Sequence, residues 1–353
     1  MRIIHKIKRY YNCAYRLGHY PSLISLIRNK NKTFIYYGFL GDSNFGDEVV
    51  FETSRQLFKP HILLPVKKMM PLPLMIYCKL CNKKISGIII GGGTLFGSIM
   101  EQDFFESIVD TKKPVYIHGT GTHSTMGSLD GWKRILSNRI YGGVRGPISK
   151  YNMKNYDFEV GIAGDASFGM FERKLDNGHG KRETLKTILV NVGTHLDFKG
   201  STTSRNAIKG FIKACVRDGF RVQFLPFFST DTLLGLEIKK EIPEMELLKI
   251  PTSYLECVNH FHNSIFAIGE RLHFNIMALL GNSPFLSINY NKKHEDFLES
   301  MNLKSSGILP EDISLDEALN AFQNRFAFDW EAINKKLYQY KHFQVDEASK
   351  FIN

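Results

Sequence analysis

Cysteine is too sparse in this sequence to staple it together. Cys13, Cys78, Cys81, Cys215 and Cys257 are scattered over 353 residues, which excludes the disulfide framework of a small secreted domain. The C-x-x-C of Cys78 and Cys81 has no second pair at zinc-finger spacing, so no metal is expected. Long apolar runs are missing as well. No stretch reaches the roughly 18 apolar residues that cross a bilayer, and the N-terminal segment lacks the continuous apolar core of a secretory signal. A cytoplasmic protein is the expectation. Helix-turn-helix, zinc-finger and RNP signatures are also absent, so nucleic acid is not the expected partner despite a net charge of +11.

Acidic residues are missing from residues 1–32, which hold eight Lys or Arg. Ile3, Ile7, Tyr10, Tyr11, Ala14 and Leu17 recur there at helical spacing, giving an apolar stripe flanked by cations. Such a helix either lies on an anionic membrane surface or docks on its own domain.

What the sequence has is an ordinary globular composition, 43% hydrophobic and 23% charged, and a length that calls for two domains of roughly 150 residues each. Short apolar runs end in Gly or polar residues: TFIYYGFLG, HILLPV, GIIIGGG, PVYIHGTG, IYGGVRG and FEVGIAGD up to Asp165, then TILVNVG, RVQFLPFF, SIFAIGE and PFLSINY. Runs that are apolar on both faces and alternate with helix-length stretches imply parallel, helix-covered sheets. The expected division is a basic amphipathic segment at 1–32, a Rossmann-like domain at 33–171, a polar linker at 172–187, a second Rossmann-like domain at 188–310 and closing helices at 311–353. The expected fold class is therefore α/β, with two doubly wound domains facing a cleft. Ligands of such sheets bind at the carboxyl ends of the strands.

GERLHFNIMALLGNSP raises a specific question, because Arg271 and His273 stand where a helix is about to begin. A helix start carries partial positive charge, so a cation there calls for an anion nearby. The anion is either a ligand, held by guanidinium and helix N–H groups together, or Glu270 or another acid of the protein. Arg145 in GGVRGPIS, Asp165 in GIAGDAS and Lys292 and Lys293 in YNKK also fall at strand ends, and the glycine-rich ends FLGDSNFGDE and IIIGGGTLF let backbone approach a ligand closely. Asp47 reads either as a base or as the cap of a helix starting near Glu48, and Asp165 as a base or a local acceptor. His118 and His123 in IHGTGTH are weaker candidates.

Taken in order, GDSNFGDE, GGGTLF, VRG followed by Ser, GDAS, RLH with ALLGNSP, and YNKK resemble the polysaccharide pyruvyl transferase family over about residues 34–300. The resemblance implies a GT-B-like fold and transfer of a pyruvyl group from phosphoenolpyruvate to two hydroxyls of one sugar, forming a cyclic ketal and releasing phosphate. No cofactor is implied, phosphoenolpyruvate being a co-substrate. Carried over by position, Arg145, Arg271, Leu272, His273 and Lys293 fall on the donor, with Asn291 where the family often has Asp. Two arginines and a lysine suit a ligand bearing a carboxylate and a phosphate. His273 suits the acid that protonates the enol carbon, and Arg271 or Lys293 the departing phosphate. Asn44, Asp47, Glu48, Gly92, Gly93 and Asp165 are the acceptor-side candidates. The expected acceptor is a lipid-linked or pyrophosphate-linked sugar. The competing readings are a GT-B glycosyltransferase using a nucleotide sugar, against which Ile276 stands where the ribose-gripping glutamate of E-A-x-A-x-G would be, and a non-catalytic sugar- or phosphate-binding protein. No D-x-D pair suits a metal-bound diphosphate.

Overall fold

A computed structural model describes residues 19–41, 44–66, 70–97, 112–123, 130–172, 186–193 and 200–353. The amphipathic stripe expected from Ile3 to Leu17 and most of the expected linker lie outside the described residues. The chain divides into two compact units. The first comprises Met1–Ser43, Val50–Met170 and Gln339–Asn353, the second Asn44–Val49 and Phe171–Tyr338.

The first unit is built on β1 (Thr33–Tyr37), β2 (Ile62–Pro65), β3 (Ile85–Ile90), β5 (Val115–His118), β7 (Ile140–Val144) and β8 (Gly161–Ile162), with β4 (Thr94–Phe96) and β6 (Gly121–Thr122) forming a small separate ladder. The six main strands pair in parallel in the order β2-β1-β3-β5-β7-β8. Alternate residues enter different cores, as the period of two demands. Ile35, Ile88, Ile90 and Ile117 pack on one face, and Phe34, Tyr36, Ile89 and Tyr116 on the other. Among the described residues, five helices accompany the strands: α1 (Leu23–Arg28), α2 (Phe45–Leu57), α3 (Leu72–Leu80), α4 (Asp130–Leu136) and α5 (Pro147–Lys154).

The second unit carries β9 (Thr187–Asn191), β10 (Arg221–Phe224), β11 (Glu246–Leu247), β12 (Phe266–Gly269), β13 (Phe285–Ile288) and β14 (Gly307–Ile308). These too are parallel, in the order β11-β10-β9-β12-β13-β14. Read by first appearance this is 3-2-1-4-5-6, the dinucleotide-fold order, whose crevice opens between the first and fourth strands. The sheet has six strands, against the four expected, because β11 and β14 are two residues long and show no periodicity. Its helices are α6 (Ser201–Arg217), α7 (Ser229–Glu241), α8 (Tyr254–His262), α9 (Leu272–Leu280), α10 (Lys292–Met301) and α11 (Leu315–Gln323), followed by α12 (Trp330–Ile352).

Two expected boundaries shift. The closing helices are not one block, because residues from Gln339 onward group with the first unit: Phe351 packs 5.0 Å from Phe34, ring to ring, and Tyr116 donates its hydroxyl to the Gln344 carbonyl at 2.9 Å. Asn44–Val49, expected in the first domain, groups with the second unit. The cause is local: Phe45 N–H donates to the Phe227 carbonyl at 2.9 Å, Asn44 bridges Phe228, and the Phe45 and Phe227 rings meet edge to face.

Candidate active site

In the second unit the site starts at the switch between β9 and β12, where Asn191 lies in register with Gly269. One residue beyond Glu270, Arg271 is the N-cap of α9 and has an extended backbone. The helix runs to Leu280 and stops at Gly281, as ALLGNSP predicts. The anion called for at this helix start is present in the protein itself. Arg271 Nη2 donates to Asp231 Oδ1 at 2.6 Å, and Nε lies 3.2 Å from both carboxylate oxygens. Asp231 is fully buried, while the Arg271 side chain keeps 17% exposure. Burial works against the guanidinium charge, but the Asp231 charge and hydrogen bonds outweigh it and hold the Arg271 pKa above its ordinary value.

Asp231 does more than neutralise. Its Oδ2 accepts the N–H groups of Phe227 and Phe228, each at 3.1 Å, so the carboxylate fixes the loop that pairs with Asn44 and Phe45. Asn191 completes the network, donating to the Leu225 carbonyl at 3.0 Å and accepting Arg271 N–H at 3.3 Å. Neither Asp231 nor Asn191 has a sequence signature. Asp231 reads as an acid in the first turn of α7, and Asn191 as the polar end of a strand. Glu270, the sequence neighbour expected to pair with Arg271, turns the other way: its carboxyl accepts Ser204 Oγ at 2.7 Å and Gly193 N–H at 3.1 Å. Burial pushes the Glu270 carboxyl upward against those bonds.

His273 stands at the second position of α9 and is half-buried. A Cβ on Gly46 would collide with its imidazole ring, so the glycine of the N-x-G-D-E motif is the space His273 occupies. Asn44, not Asp47, caps α2: its Oδ1 accepts Gly46 N–H at 3.2 Å, and its carbonyl accepts Glu48 N–H. The helix therefore begins at Phe45, earlier than expected, and Asp47 and Glu48 fall half-buried in its first turn, beside the glycine that faces His273.

Lys293 sits in the first turn of α10, its Nζ donating to Tyr290 Oη at 3.0 Å. Lys292 pairs with Glu295 in the open. Asn291 is the N-cap, accepting Lys293 N–H at 3.2 Å, a task Asp performs equally well; the change from Asp preserves the cap. His294 ties the two loops together: Nε2 lies 2.9 Å from the Glu270 carbonyl oxygen and Nδ1 3.1 Å from that of Asn291. A neutral imidazole donates to one of them; engaging both takes a proton on each nitrogen. Leu272 is buried in the core beneath.

In the first unit Arg145 follows β7 and is 1% exposed. Its Nη2 donates to the Gly93 carbonyl at 2.9 Å and reaches Thr94 Oγ1 at 3.4 Å, so the guanidinium orders the glycine loop after β3. Gly121 leaves the space for it, just as Gly193 does for Arg271: a Cβ on either would strike the guanidinium group. Gly93 has φ +103° and packs on Phe39, and Gly92 packs on Val50. Asp165 is buried, its Oδ1 accepting Ser167 N–H at 3.0 Å and Ser167 Oγ at 2.7 Å. His118 is enclosed, with Nδ1 2.8 Å from Ser54 Oγ and Nε2 3.3 Å from Gln344 Oε1. Burial lowers its pKa to about 4.

Parallel doubly wound sheets with cations at their strand ends define an α/β protein of GT-B type. Solved structures agree in fold. The UDP-GlcNAc 2-epimerase from Neisseria meningitidis, bound to UDP-GlcNAc, is similar at TM-score 0.55 and 10% identity, over 89% of this chain and 97% of that one. The UDP-N-acetylglucosamine 2-epimerase from Rickettsia bellii is similar at TM-score 0.54 and 10% identity, over 92% and 96%. Among curated proteins the sequence finds no match. The model of the polysaccharide pyruvyl transferase family matches residues 9–292, and the chain belongs to that family.

Proposed function

We propose that this chain transfers the pyruvyl group of phosphoenolpyruvate to two hydroxyls of one hexose in a lipid-linked or pyrophosphate-linked precursor, forming a cyclic ketal and releasing phosphate. Family membership supports a pyruvyl transferase of polysaccharide synthesis. The single observation that carries the finer reading is the seating of the His273 imidazole on Gly46, beside Arg271 and next to the acidic first turn of α2. A proton donor, a fixed cation and two carboxylates are what the chemistry asks for.

In this reading Arg271, oriented by Asp231, and Lys293 hold the donor's carboxylate and phosphate. His273 gives a proton to the methylene carbon, positive character develops at the adjacent carbon, and a sugar hydroxyl attacks it. Loss of phosphate, stabilised by Arg271 or Lys293, regenerates an electrophile that the second hydroxyl captures. Asp47 and Glu48 are the candidate bases, with Asn44 placing their helix. Arg145 remains a donor candidate, and Gly92, Gly93 and Asp165 acceptor candidates, on the first unit. Residues 1–32 add a candidate contact to an anionic membrane surface, and no helix among the described residues is long and apolar enough to cross one.

The test is incubation with phosphoenolpyruvate and a panel of lipid-linked and pyrophosphate-linked sugars, following phosphate release and product mass. Acceptor-dependent phosphate release with a ketal-sized mass gain is expected. Nucleotide release from a nucleotide sugar, or donor binding without turnover, would overturn the proposal in favour of a glycosyltransferase or a binding protein.

A further inference from the structure

Away from the site, two neighbouring helices of the first unit carry apolar side chains that the fold leaves outside. α1 and α3 pack together and share one core through Leu26, Leu74 and Tyr77. Yet Leu23, Ile24 and Ile27 of α1 and Leu72, Ile76 and Leu80 of α3 are exposed, Ile24 at 64% and Leu80 at 81%. Single exposed apolar residues need no explanation; six on adjacent helices mark a surface that something covers.

Charge says what. No Asp or Glu occurs before Asp42 or between Pro60 and Met100, so both helices come from acid-free sequence. The parallel register Thr33↔Ile85 sets the starts of β1 and β3 side by side. Exposed cations therefore stand just ahead of both neighbouring strand starts, Arg28 and Lys30 before one and Lys79, Lys83 and Lys84 before the other. A second copy would bring the same cations against themselves. Residues 1–18, which precede α1, are likewise cationic and without acid, so they too would be repelled.

We propose that this face docks on the surface of an anionic lipid bilayer, its leucines and isoleucines entering the headgroup boundary and its lysines meeting lipid phosphates. The proposal goes beyond the pyruvyl-transfer reading, which stands equally on a soluble acceptor. Cosedimentation of the full chain with vesicles tests it, using phosphatidylcholine alone and phosphatidylcholine mixed with phosphatidylglycerol. Binding to the mixed vesicles, released by salt, is expected. Combining Ile24→Ser, Ile76→Ser and Leu80→Ser should weaken it by at least about tenfold, and so should Lys83→Glu with Lys84→Glu. These side chains are exposed, so the melting curve should stay in place, and pyruvyl transfer to a water-soluble acceptor should be unchanged. Equal binding to neutral vesicles, binding indifferent to both variants, or no binding at all would overturn the proposal. So would self-association in sedimentation velocity that the serine variant abolishes, since that would make a second copy the occupant.

Discussion

Arg145 and Arg271 occupy comparable places, each just beyond a parallel strand and each lying over a glycine, and they end in different company. Arg145 is enclosed and turned onto a backbone carbonyl and a threonine hydroxyl. Arg271 is part exposed and gripped by a buried carboxylate. A carboxylate fixes a guanidinium rigidly and cancels much of its field, which a backbone carbonyl or a hydroxyl alone does not do. The second unit therefore trades net charge for orientation, which suits a bidentate grip on a small anion.

The largest effect should come from breaking the tighter pair. Asp231→Ala removes the partner of a mostly buried guanidinium and the acceptor of two loop N–H groups, so a loss of about 3–5 kcal/mol in denaturant unfolding is expected. Arg145→Met removes a cation and leaves the Gly93 carbonyl and the Thr94 hydroxyl without its guanidinium, so about 1–3 kcal/mol is expected there. Equal losses would show that the two arginines are held alike.

Close behind in size is the catalytic contrast. His273→Ala should lower turnover by about 100-fold while leaving donor affinity nearly intact, as removal of a general acid does. Gly46→Ala, which touches no ligand in the proposed mechanism, should reproduce much of that loss by displacing the imidazole. Full activity in the glycine variant would separate His273 from the reaction.

One buried histidine of the first unit gives an effect set by pH. His118 is buried neutral, with a pKa near 4 against 6.5 for an ordinary histidine. Between those values the unfolded chain holds the extra proton, so stability rises with pH. The contribution is complete above pH 6.5 and lost as pH falls toward 4, about 3 kcal/mol in all. His118→Gln should flatten the melting temperature of the first unit over that window relative to the wild type. Parallel curves would mean that other groups drive the acid sensitivity.

The pattern of what the sequence reveals follows from the range of each interaction. β3 and β12 are legible because apolar residues and terminal glycines lie within one short window, and the helix after Arg271 because its stop signal is local. β11 and β14 are too short for any period. Asp231 is invisible because its partner is Arg271, 40 residues away, and nothing in STDTLLG distinguishes a cap from a clamp. Gly46 was legible as a place of close approach, but not as His273's seat, because a missing side chain does not announce what fills its space.

Asn291 supplies the smallest and sharpest comparison, since it stands where the family often carries Asp. In this structure its side chain accepts Lys293 N–H and starts α10, the helix whose first turn holds Lys293 against Tyr290. If the cap is its whole contribution, Asn291→Asp should leave stability within a few tenths of a kcal/mol and turnover unchanged, while Asn291→Ala should cost about 1 kcal/mol. A carboxylate acting on substrate would behave differently: the Asp variant would gain activity with a new acidic limb in its pH profile. Measuring that profile for both variants decides whether the residue shapes the lysine's helix or takes part in the chemistry beside it.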